Sequence, residues 1–143
     1  MTLAVVTGLW AAPAAAQSSP ATEYLIRCSG CHRADGAGSK RGGVPDFRGL
    51  VGSFGRSEAG RVYLMHVPGV AASGMDDAGI AAVMNHIFAR WADAPVDDPV
   101  PPFDADEVAR LRALSVPDVV KTRRRVARQL AAQGLPVAAY PWE

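Results

Sequence analysis

The chain is short of nearly everything that marks a nucleic-acid binder, a membrane-spanning protein or a disulfide scaffold. Fifteen Lys and Arg stand against fourteen Asp and Glu, a formal net charge of +1. No global field therefore draws the protein to nucleic acid or to an anionic lipid surface. There is no internal repeat, and 143 residues give room for one domain with a modest core but hardly for two. No segment alternates apolar and polar residues as a half-buried strand does, which points to an all-α protein. The apolar run from Leu3 to Ala12 falls short of the roughly 20 residues a spanning helix needs. It is followed by Ala14-Ala15-Ala16 before Gln17 and reads as a secretory signal over residues 1–16, although no Lys or Arg precedes it. A mature protein beginning near Gln17 would be periplasmic or otherwise exported, and membrane-anchored only if that signal stayed uncleaved.

Cysteine is scarce too: Cys28 and Cys31 are the whole supply, and both lie in CSGCH. A disulfide between them would close too short a loop to constrain the chain. Zinc asks for four ligands, and beyond His32 only His66 and His86 remain to complete a site. A thioredoxin-like dithiol belongs in a βαβ setting that the flanking sequence does not supply. The histidine directly after the second cysteine favours a different chemistry. CxxCH is the attachment sequence of c-type haem: thioethers from Cys28 and Cys31 fix the porphyrin edge, and His32 ligates iron from one side.

Around the motif, a helix is expected from about Pro20, with Tyr24, Leu25 and Cys28 on one face. RADGAGSKRGGVPDFRGL follows His32 with five glycines and reads as irregular loop wrapping the haem edge, anchored by Val44-Pro45-Asp46-Phe47. A second helix starts after Ser57 and is stopped by Pro68-Gly69. The clearest helix starts after Asp76 as N-cap, with Met75 able to staple onto Ile80. Its apolar stripe is Ile80, Val83, Met84, Ile87, Phe88 and Trp91. Residues 95–103 form a Pro-rich extended linker, which divides a haem domain (17–94) from a helical extension (104–143). Helices of the extension start near Asp104 and Pro117, and Gly134 closes the last. Lys121, Arg123, Arg124, Arg125 and Arg128 form a basic run that reads first as a solvated helix face, otherwise as a docking surface for an acidic redox partner. Tyr140 and Trp142 are expected to cover the haem domain.

From about Tyr24 to Trp91 the chain resembles a class I cytochrome c, in which a helix ending in CxxCH is followed by a Gly-rich loop, a middle helix and a C-terminal helix that crosses the first. The resemblance puts Tyr24 in that crossing and His86 where the family seats an aromatic, so His86 is expected as a packed imidazole. Pro45, thirteen residues after His32, stands close to the family's haem-side proline, whose carbonyl accepts from the far nitrogen of the ligating imidazole. The family's second axial ligand is usually a Met, often in Met-Pro. Here that place reads His66-Val67-Pro68-Gly69. Met75, on the same loop, is the leading candidate, His66 the alternative, then Met65, with no protein ligand as the remaining choice; Met84 belongs to the core stripe. FDADEVARLR after a VPG-containing haem domain also resembles a group of small bacterial cytochromes, which implies that the tail belongs to the protein. The resemblance implies an exported mono-haem electron carrier. It would serve redox protein partners such as a dehydrogenase, an oxidase or another cytochrome, with no nucleic-acid role and no substrate transformed. The tail could dock it onto a dehydrogenase as a subunit. The alternative is a haem enzyme or small-ligand sensor with an open or labile sixth site.

Overall fold

The computed structural model describes residues 18–95 and 97–140; the expected signal, Val96 and Trp142 lie outside the described residues. Among the described residues the chain is all-α, and its only extended pairing is a lone bridge between Ser39 and Val44. Helix α1 (Pro20–Arg27) is started by Ser19, whose hydroxyl accepts from the Thr22 amide, and by Pro20, which has no donor to leave unpaired. Tyr24 is its only fully buried residue. The phenol donates to the Arg33 carbonyl at 2.6 Å. The face expected to hold Leu25 is turned outward: Leu25 and Ile26 are 54% and 68% exposed. A further turn, α2 (Ser29–His32), carries the second cysteine and the histidine, and ends where Arg33 takes a left-handed conformation.

The glycine loop is compact because its glycines touch protein. A Cβ on Gly36 would come within 2.8 Å of the Trp91 ring, and one on Gly38 within 2.4 Å of the Pro45 carbonyl; both residues have positive φ. A short helix absent from the sequence reading, α3 (Val51–Gly55), is buried throughout. It crosses α4 (Glu58–His66) at Gly60, where an added Cβ would sit 2.1 Å from the Phe54 carbonyl. Pro68 does not merely stop α4; it opens one more turn, α5 (Pro68–Ala71). Helix α6 (Asp77–Trp91) is capped by Asp76 as expected, and its stripe from Ile80 to Trp91 is buried. Tyr24 and Trp91 meet at 4.8 Å where α1 crosses α6.

The described part of the 95–103 segment opens on a turn, the Asp98 amide donating to the Pro95 carbonyl, and is then strapped down. Arg61, 7% exposed, donates to the carbonyls of Gly55, Pro101 and Pro102 and forks onto Glu107, with its guanidinium 3.7 Å from the Phe103 ring centre. Asn85 brackets Phe103 through both its carbonyl and its amide. Helices α7 (Ala105–Arg112) and α8 (Val119–Ala132) then pack on α4, α6 and α3. Their buried residues Val108, Leu111, Val126 and Leu130 join the same core as Tyr24 and Trp91. The basic run is not uniformly a solvated face, because Arg123 is 2% exposed. Its guanidinium donates to the Ala138 carbonyl and lies 4.3 Å from the Tyr140 ring, which turns the chain end back over α8.

Candidate functional site

The end of α1, with α2, delivers Cys28, Cys31 and His32 to one cavity of about 340 Å³, within the range of small-molecule and cofactor sites, about 300–1,000 Å³. The cysteines are unpaired; Cys28 is half-buried and Cys31 exposed. Burial pushes the Cys28 thiol up, with Arg27 opposing it in part. The loop contributes Val44, Pro45 and Phe47 to the lining. Phe47 stacks on His32 with ring centres 3.9 Å apart and planes 16° from parallel.

His32 has an unsatisfied atom. Its Nδ1 is buried with no hydrogen bond of good geometry, a situation that costs about 1–3 kcal/mol. Burial draws the imidazole below the ordinary histidine value, and the nearby Pro45 carbonyl opposes that only in part. The ring is therefore neutral near pH 7, the form whose lone pair can ligate a metal. Among the described residues no group of three or more His, Cys, Asp or Glu could hold a bare ion. Two thiols, one neutral imidazole and an otherwise mostly apolar cavity suit a macrocycle held covalently at its edge better than a naked cation.

The far part of the wall differs from expectation. Val67, Pro68, Gly69 and Val70 line it, whereas Met75, His66 and Met65 do not. Met75 instead precedes the cap of α6 and packs, partly buried, against the core that includes Ile80, its Cγ 3.8 Å from where a Cβ on Gly79 would be. His66 lies between two backbone carbonyls, Val62 2.8 Å from Nδ1 and Leu114 2.8 Å from Nε2, to one of which a neutral ring donates. His86 packs between aromatics, 6.0 Å from Tyr24 and 6.1 Å from Trp91 by ring centres. Met84, read from the sequence as core, is buried as expected and also reaches the lining.

Val119, Val120, Arg123, Ala138 and Tyr140 complete the wall from the tail. Sequence reasoning did not place these five in the site. The only available signal was the mixture of Val and Arg in VVKTRRRV, whose i and i+7 positions, Val119 and Val126, share one face of α8.

No protein-family model matches the chain. Among curated proteins, one Cytochrome c-552 from Thermus thermophilus is 34% identical over 133 aligned residues, covering 79% of this chain and 88% of the relative. A second Cytochrome c-552 from Thermus thermophilus is 33% identical over 124, covering 73% of this chain and 94% of that protein.

Proposed function

This chain belongs to the class I c-type cytochromes, and from that membership we propose that it is an exported single-haem carrier whose haem is bound at Cys28 and Cys31 and ligated by His32. As a member of the family it is an electron carrier rather than an enzyme, with covalent haem c as its cofactor and redox proteins as its partners. Haem iron supplies reversible one-electron chemistry. The observation that carries the assignment is the convergence of both CSGCH cysteines and His32 on one mostly apolar cavity of cofactor size.

The chain's own residues then divide the work. Cys28 and Cys31 provide the thioethers, and exposed Cys31, beside exposed Leu25 and Ile26, leaves the attachment edge open to a redox partner. His32 supplies the imidazole. A Pro45 carbonyl accepting its free N–H would remove the penalty of the orphaned nitrogen and make the ring a better donor. Phe47 and the Gly38 backbone hold that ring and carbonyl in place. Residues 1–16 are the export signal in this reading. Residues 17–94 form the haem-bearing part and 104–143 an extension strapped over it by residues 95–103.

The test is maturation in a host that attaches haem c. Wild type should carry one haem that survives acidic organic extraction and shows the pyridine haemochrome of two thioethers. Cys28→Ala/Cys31→Ala should lose it. A wild-type protein that emerges haem-free from a competent host would overturn the assignment.

A further inference from the structure

We infer that the haem iron of this protein keeps an exchangeable sixth position which takes small neutral diatomic gases, carbon monoxide or nitric oxide, under the wall built from α5, α8 and the tail. The inference rests on the haem-carrier reading above and goes on to the one position that the family ordinarily closes. It follows from an account of the imidazoles and thioethers, the side chains with which the family ordinarily closes it. The chain has three histidines and four methionines, and Met1 lies outside the described residues. His32 takes one side. His66 stands outside the cavity lining, with backbone carbonyls of Val62 and Leu114 2.8 Å from Nδ1 and Nε2, to one of which a neutral ring donates. His86 is packed between Tyr24 and Trp91, off the cavity. Met65 is 1% exposed in the core, and Met75 is partly buried against that core beside the start of α6; neither lines the cavity.

The connection between α4 and α6 leaves no slack to bring another ligand in. Ten steps separate His66 from the cap Asp76, and Pro68–Ala71 spends four residues as helix α5. What this connection presents to the cavity is Val67, Pro68, Gly69 and Val70, with no imidazole or thioether. Met84 does reach the lining, but from the middle of a fifteen-residue helix, 4% exposed, on the same ridge as Ile87. It serves there as apolar floor.

The class of ligand follows from the wall. The wall is mainly apolar: Val67, Val70, Val119 and Val120 stand beside an Arg123 whose guanidinium is taken up by the Ala138 carbonyl and the Tyr140 ring. It favours a small neutral molecule over a hydrated anion. Haem reactivity of this kind is decided by the polarity and steric access of the pocket. Access is at Val120, which lines the cavity yet is 41% exposed.

The experiment is carbon monoxide binding to matured, full-length ferrous holoprotein, followed optically beside the ferric spectrum. Expected are a high-spin ferric haem and rapid binding of one carbon monoxide per haem, both unchanged in Met84→Leu. Val120→Trp should slow association several-fold without altering the unliganded spectrum. A low-spin haem that excludes carbon monoxide, with a sulfur-to-iron band lost in Met84→Leu, overturns the inference and makes Met84 the ligand. The same inert haem with its band intact in Met84→Leu overturns it too. Those results leave the carrier assignment standing, whereas absence of thioether-bound haem overturns both.

Discussion

The cavity has two kinds of wall, and they were built under different constraints. From Cys28 to Phe47 the chain is locally determined: a capped helix, two cysteines one turn apart and a loop whose glycines are dictated by close contacts. From Val67 to Val70, and again from Val119 to Tyr140, the wall is determined by distant contacts. Leu114 holds His66, Arg61 holds Pro101 and Pro102, and Ala138 receives Arg123. The first wall specifies where haem is attached. The second specifies what lies over it, and it is assembled only once the tail has docked.

The largest effect should come from unhooking the distant wall. Arg61→Met removes a buried guanidinium that satisfies three carbonyls and pairs with Glu107. Breaking such a pair from one side costs about 3–5 kcal/mol. We expect a loss near the lower end of that range, because Glu107 is only half-buried. Denaturant unfolding of the holoprotein, followed by helix signal and haem absorption together, measures it. A loss below about 1 kcal/mol, the size of an exposed ion pair, would mean that the tail is not part of one cooperative unit with the haem-bearing helices.

Gly38→Ala attacks the local wall. It places a methyl 2.4 Å from the Pro45 carbonyl at a residue with φ of +65°. Overpacking and left-handed strain each cost about 1–3 kcal/mol. We expect about 2 kcal/mol of destabilisation, accompanied by a shift in midpoint potential, since the carbonyl displaced is the one facing His32. An Ala variant with wild-type potential would detach Pro45 from the role of orienting that ring.

Tyr24→Phe tests, at a smaller scale, the crossing of α1 and α6 behind the local wall. Losing the bond to the Arg33 carbonyl should cost about 1 kcal/mol. The phenol's pKa is raised to about 12, by burial first and then by Cys28 and Asp35, against an ordinary value of 10.0. A raised folded-state value contributes stability that is fully present below pH 10.0 and is lost as pH climbs through about 12. The wild-type advantage over Tyr24→Phe should therefore shrink across that window in alkaline denaturation. A constant difference up to about pH 12 would show that the phenol does not titrate with unfolding.

These differences explain what could be read from the sequence. CSGCH, the caps at Ser57, Asp76 and Asp104 and the stripe of α6 are local signals, and residues a few positions apart state them fully. The burial of Arg123 could not be read that way, because a run of Lys and Arg looks solvated until Ala138 and Tyr140 return over it. Leu25 failed for the opposite reason: Tyr24 alone satisfies the crossing with Trp91, so the rest of α1 can face outward. The sixth-ligand candidates were chosen by their place between two helices. Position along a loop says nothing of which way a side chain is drawn, and Met75 packs against the core beside the start of α6.

Met75→Leu is the smallest expected effect and the sharpest comparison between the walls. Leucine keeps the volume and apolar character needed to lie over Gly79, and such swaps cost less than about 1.5 kcal/mol. It removes the thioether altogether. If the distant wall is ligand-free, the ferric and ferrous spectra and the midpoint potential should match wild type. A sulfur ligand replaced by none would instead appear as a change of spin state and a fall in potential, because thioether ligation favours ferrous iron. Such a change, in a variant of unaltered stability, would require the 67–76 connection to rearrange when haem is attached. The second wall would then be set by the cofactor as well as by the tail, and the contrast with the Cys28–Phe47 wall would shrink to one of timing.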